Sequence, residues 1–141
     1  MIYNTLMHLR FARLLIGLVT AWNLQAALTF WLWPAAYAPG FELSGVPGEA
    51  AVQGVGLLFL MWNLPYLAAL WQPRRNLLVL KLALAMQLTG LAGESWLLAG
   101  LTAEHAQLQS SIGRFIAFDA AGLGLLALAL WLARPGPNTS S

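Results

Sequence analysis

Four long stretches of the chain lack the regular interruption by polar positions that marks a water-facing helix or strand. Leu14–Trp33 and Ala50–Trp71 contain no charge. Leu77–Leu101 carries Lys81 near its start and Glu94 near its end, and Ser110–Ala133 carries Arg114 and Asp119. Each reaches the ~20 residues that an α-helix needs to cross a ~30 Å hydrocarbon core. The pattern predicts an all-α, four-helix transmembrane bundle in a single domain over 1–141, with helices at about 11–33, 50–71, 77–101 and 110–133 and a tail at 134–141. The alternating segments of ~10 residues that build an outer-membrane barrel are missing. The first stretch also has signal-peptide features, since Arg10 and Arg13 precede it and Ala36-Tyr37-Ala38 follows it. Its length and its Trp22, Trp31 and Trp33 favour a retained helix.

The connections are short. Pro34–Glu49 is rich in turn-forming pairs, among them Pro39-Gly40 and Pro47-Gly48, and reads as an ordered lid in which Phe41 is protected and Glu42 accessible. Gln72–Asn76 is a tight basic turn, Thr102–Gln109 a short polar loop, and Arg134–Ser141 a tail with little to bury. Arg10, Arg13, Arg74, Arg75, Lys81 and Arg134 fall at one end of the four spans, and only Arg114 falls at the other. Basic residues concentrate on the cytoplasmic side of membrane helices. Both termini are therefore expected in the cytoplasm, in a multi-pass protein of a bacterial inner membrane. The bias also argues against dual-topology antiparallel exporters. An Asn138-Thr139-Ser140 sequon on that side would be inert. Trp33, Tyr37, Phe41 and Trp96 are expected at the outer interface, and Tyr66, Trp71 and Trp131 at the inner one.

Composition agrees: 60% of the residues are apolar and 9% charged, against roughly 25% charged in soluble domains. The pI near 9.5 reflects scarce acids, because the net charge is only +2. The basic residues are scattered, which sets nucleic-acid partners aside. The absence of Cys rules out thiol relays and thiolate-ligated metal. His8 and His105 lie outside the spans, so no intrinsic haem or metal centre is expected. With no nucleotide loop or hydrolase triad either, the chain is not expected to be an enzyme on its own.

Candidate chemistry rests on polar residues at membrane depth, which are costly and usually face the bundle interior. Small-plus-polar stripes are expected to pack inward: Gly17, Thr20, Asn23 and Ala27; Gln53, Gly56, Leu60 and Asn63; Ala83, Gln87, Gly90 and Glu94; and Gly113, Ala117, Ala120 and Gly124. The candidate intramembrane polar site is thus Glu94, Arg114, Asp119, Asn23, Gln53, Asn63 and Gln87. Glu94 and Arg114 are expected to pair across helices at similar depth. Asp119, about 140° around the helix from Arg114, is either a protonatable functional carboxyl or a structural group beside Asn23 or Gln87. Pro65 should remove the hydrogen bond to the Met61 carbonyl and kink its helix, with Asn63 helping to satisfy the freed backbone.

The chain resembles the DoxX-like small four-helix membrane proteins. The likeness rests on Arg10 and Arg13 before the first span, the Phe41-x-x-x-Gly45-x-Pro47 loop, Gln53-Gly54-Val55-Gly56-Leu57-Leu58, and the Pro73-Arg74-Arg75 turn. Many members carry a carboxylate early in the second helix, where this chain has Gln53, with Glu49 just before. The resemblance implies a membrane subunit linked to quinone-coupled redox, with quinone as the associated cofactor. Two functions are therefore carried forward. One is an accessory or assembly subunit that contacts lipid and other membrane subunits or a second copy of itself. The other is a small transporter or binder of a lipophilic solute that uses the intramembrane carboxylates. The orientation is directly testable: reporter fusions after Ser141 and within 34–49 should report opposite sides of the membrane, and same-side signals would end the four-span topology.

Overall fold

A computed structural model of the chain describes residues 2–134, with side chains described from Leu6 onward. The tail from 135, including the Asn138 sequon, lies outside the described residues. Every regular element is helical: α1 (Ile2–Leu32), α2 (Pro34–Tyr37), α3 (Gly45–Trp71), α4 (Leu77–Gly100) and α5 (Ala106–Ala133). Single 3₁₀ turns at Ala38–Phe41 and Ala103–His105 complete the α1–α3 and α4–α5 connections. The four long helices are each long and apolar enough to cross a membrane, so this is a small multi-pass membrane protein.

Three of the four long helices, α1, α3 and α5, start earlier than the hydrophobic pattern suggests, while α4 starts at Leu77 as expected. Residues 2–16 contain no Gly or Pro, so α1 runs through Arg10 and Arg13 instead of beginning after them. The connection expected at Pro34–Glu49 is largely helical. Pro34 opens α2 in the first-turn position where proline has no donor to lose. Gly45, at φ +63°, turns the chain into α3, and Pro47 again sits in a first turn. α5 begins at Ala106, four residues before the expected 110.

The bundle is a square. α1 packs on α3, α3 on α4, α4 on α5 and α5 back on α1, with the α3–α4 seam the loosest. Short connections make neighbours antiparallel, so the start of α1 and the end of α5 share one end with Arg10, Arg13, Arg74 and Arg75. At that end the Arg13 side chain donates to the Trp71 carbonyl (3.1 Å), and Asn76 Nδ2 donates to the Ala68 carbonyl (2.7 Å), satisfying the last turn of α3. Two apolar clusters hold the helices together. The larger, around Ile16, Val19, Leu80 and Leu126, fills this basic end. The smaller, an aromatic set of Phe30, Phe41, Phe59 and Phe115 around Ala38 and Val52, fills the other.

Sequence stripes identify the buried faces of α1 and α4, and that of α3 apart from Gln53, but not that of α5. On α3, Gly56 and Asn63 are buried, whereas Gln53 is exposed and donates to the Trp31 carbonyl at 3.1 Å. On α5, Ala117, Ala120 and Gly124 are exposed, and the buried face is Ile112, Gly122, Leu126, Ala129 and Ala133. A small side chain suits lipid as well as a helix contact, so smallness alone does not choose a face. Trp71, Trp96 and Trp131 point outward as expected of interfacial residues, but Tyr66 is fully buried. Pro65 lies within an unbroken α3, and the Asn63 amide donates to the Phe59 carbonyl (2.7 Å), not to Met61.

The closest helix approach is α1 against α3. A Cβ on Gly56 would lie 2.7 Å from the Trp31 nitrogen and 2.8 Å from the Ala27 oxygen, both backbone atoms that cannot step aside. Gly56→Ala should lower thermal stability in detergent by an amount comparable to core overpacking, about 1–3 kcal/mol. Gly54→Ala, which enters open space, should leave it unchanged.

Candidate functional site

Between the two apolar clusters the bundle holds a polar layer. Tyr66 of α3 donates its hydroxyl to Gln87 Oε1 of α4 (2.5 Å), and Gln87 Nε2 donates to Asp119 Oδ1 of α5 (2.7 Å). A carboxylate only accepts, so Asp119 takes the Gln87 nitrogen and leaves the Gln87 oxygen to accept from the Tyr66 hydroxyl. The chain of bonds ties three helices at one depth. Glycines make it fit: a Cβ on Gly90 would collide with Asp119 Oδ2, and one on Gly122 would come within 2.7 Å of Gln87 Nε2.

Above this layer lies a cavity of about 100 Å³, partly open at the bundle surface and bounded by all four long helices. Its apolar walls are Ala26, Phe59, Trp62, Met86, Phe115 and Phe118. Its polar lining is Asn23, Asn63, Gln87, Glu94 and Asp119. Five of the seven candidate site residues therefore meet in one place. Two buried polar atoms there have no partner: Glu94 Oε2 and Asn63 Oδ1. Asn63 spends its amide nitrogen on Phe59, so its oxygen is the atom left over.

Arg114 and Gln53 are not part of the site. Arg114 is exposed and donates to Ser111 Oγ (3.0 Å), leaving Glu94 without the expected ion pair. The reason is rotation, not depth. Arg114 lies ~12 Å into α5 and Glu94 ~9 Å from the end of α4, but the Arg114 side chain points about 140° away from Asp119, which lines the cavity. Glu94 faces the cavity from the Gln87 side of α4. Asp119 takes the structural bond to Gln87 that was one of its two expected roles, and Asn23 faces the same space. Sequence reasoning missed Tyr66, although it falls three residues after Asn63 on the same helix face. It also missed the aromatic walls, which stripes of small residues do not reveal.

The end of the bundle opposite the basic one is closed by the segment between α1 and α3. Phe41 stacks on Phe115 and meets Phe30 edge-on, while Ser111 Oγ donates to the Gly40 carbonyl (2.6 Å). Glu42, in the left-handed region at φ 57°, accepts from His105 Nδ1 (2.6 Å) and from the Leu108 N–H (3.3 Å). Phe41 is thus half-buried and Glu42 exposed, as expected of a lid, but the carboxylate is engaged. Among the described residues, no group of three metal-binding side chains converges. No protein-family model matches the chain, and neither a curated protein nor a solved structure matches it.

The hydrogen bond from His105 holds the Glu42 carboxyl below its ordinary value of 4.5. A carboxyl depressed by folding stabilises the closed segment above its unfolded pKa and loses that contribution as pH falls through the folded one. Hydrogen exchange over residues 38–44, corrected for intrinsic rates, should therefore accelerate on the acid side of 4.5 in the wild type. Glu42→Ala should already exchange fast at neutral pH. Protection that ignores both would remove this latch.

Proposed function

We propose that this protein binds a small lipophilic molecule with a polar end inside its membrane bundle. The observation that carries this reading is the mid-bundle cavity, whose lining includes Glu94 and Asn63, each with a buried polar atom that no protein group satisfies. Leaving such groups unsatisfied in a bilayer costs several kcal/mol each, and a bound ligand relieves that cost. The aromatic walls supply the apolar contact that ligand pockets commonly have. Transport of such a molecule is the natural extension, because the α3–α4 seam packs least closely. The basic end is proposed to face the cytoplasm of a bacterial inner membrane, following the positive-inside rule.

A second reading, an accessory or assembly subunit, is favoured by the short described connections, which leave little outside the spans. The resemblance to DoxX-like proteins supports that role and offers quinone as the ligand class. Protein purified in mild detergent separates the two readings. The binder should retain a small molecule detectable by mass spectrometry. Ala26→Leu, which fills the cavity without touching Gln87 or Asp119, should lose it while staying folded. A folded protein that carries no small molecule but brings down stoichiometric partner subunits would favour the accessory role.

A further inference from the structure

The cavity is lined by two carboxyl groups, and its neutral donors are the Asn23 amide and the Trp62 indole N–H. Gln87 Nε2 is used by Asp119, and Asn63 Nδ2 by the Phe59 carbonyl. Glu94 Oε2 and the Asn63 oxygen remain open, and Asn63 is only 1% exposed. The titratable groups facing this space are Glu94 from α4 and Asp119 from α5, with the Tyr66 hydroxyl of α3 committed to Gln87; α1 contributes only Asn23. Among the described residues, no Lys, Arg or His lines the cavity. Arg114 is turned to Ser111, and Lys81 is exposed. Two carboxyl groups in an aromatic enclosure without a basic partner need either protons or a positive counter-charge. The faces of Phe59, Trp62, Phe115 and Phe118 carry the negative quadrupole that attracts a cation.

We propose that the cavity binds a small lipophilic organic cation, an aromatic or quaternary amine. Its charge sits between Glu94 and Asp119 and its apolar part lies against Phe59, Trp62, Phe115 and Phe118. This rests on the ligand-binding reading above and sharpens it. A neutral quinone could accept from Asn23 or Trp62 but would leave the two carboxyl groups without a counter-charge, which a cation supplies. Because proton and ligand compete for the same carboxylates, binding releases protons and weakens as pH falls.

The isosteric probes phenyltrimethylammonium and tert-butylbenzene differ only in charge. Calorimetry with the full chain in nanodiscs of zwitterionic lipid, blanked against empty discs, should give saturable binding of the cation and about tenfold or weaker binding of the neutral probe. Glu94→Gln and Asp119→Asn should each weaken the cation by about tenfold or more and leave the neutral probe unchanged. Asn at 119 still accepts from Gln87. Should it nevertheless misfold, Glu94→Gln decides alone, since Glu94 Oε2 has no bond to lose. Equal binding of both probes to the wild type would overturn the cation assignment and leave a neutral-ligand cavity standing. Absence of binding by either probe to folded protein would overturn the ligand-binding reading as well.

Discussion

Inside hydrocarbon, a polar group without a partner costs several kcal/mol, and water is not there to relieve it. The bundle meets that constraint in one layer, where Tyr66, Gln87 and Asp119 satisfy one another in sequence. Interhelical hydrogen bonds in bilayers contribute little net energy, averaging ~0.6 kcal/mol, because separated helices also find partners. The value of this layer is geometric. Only one register of α3, α4 and α5 brings all three groups into line, and Gly90 and Gly122 admit that register by leaving room for Asp119 and Gln87.

The cavity follows from the same arrangement. Tyr66, Gln87 and Asp119 draw the helices together at their own depth, and the Phe30–Phe59–Phe115 cluster draws them together nearer the end opposite the basic one. Rigid aromatic rings at the upper level and glycine at Gly90 leave space between the two. Glu94, on the inward face of α4 nearly two turns above Gln87, has a buried oxygen without a hydrogen-bond partner and, among the described residues, no basic side chain beside it in the cavity. The site is thus a region where packing is complete above and below but not within.

The closing segment is fixed by contacts from distant parts of the chain. Arg114 donates to Ser111, Ser111 donates to the Gly40 carbonyl, and Glu42 receives His105 and the Leu108 backbone. A charged residue that reads as the counter-ion of an intramembrane acid instead supports the closure above it. That leaves the intramembrane carboxylates without a basic partner and gives the cavity its acidic character.

Hydropathy and helix length alone determined four spans, their connections and the clustering of basic residues at one end, because the cost of placing backbone and charge in lipid acts on each segment independently. The inward faces of α1 and α4, with Asn23, Gln87 and Glu94, were also legible, since polar residues at depth must turn away from lipid. Tertiary structure alone decided the rest. Small residues are indifferent between lipid and a neighbouring helix, so the buried face of α5 was set by where Leu126 and Gly122 pack. Tyr66 belongs equally to an interface and to a core, and was assigned by the acceptor that Gln87 presents. Whether Glu94 meets Arg114 depended on the rotation of α5, which is fixed by packing against α1 and α4 and not by the local sequence.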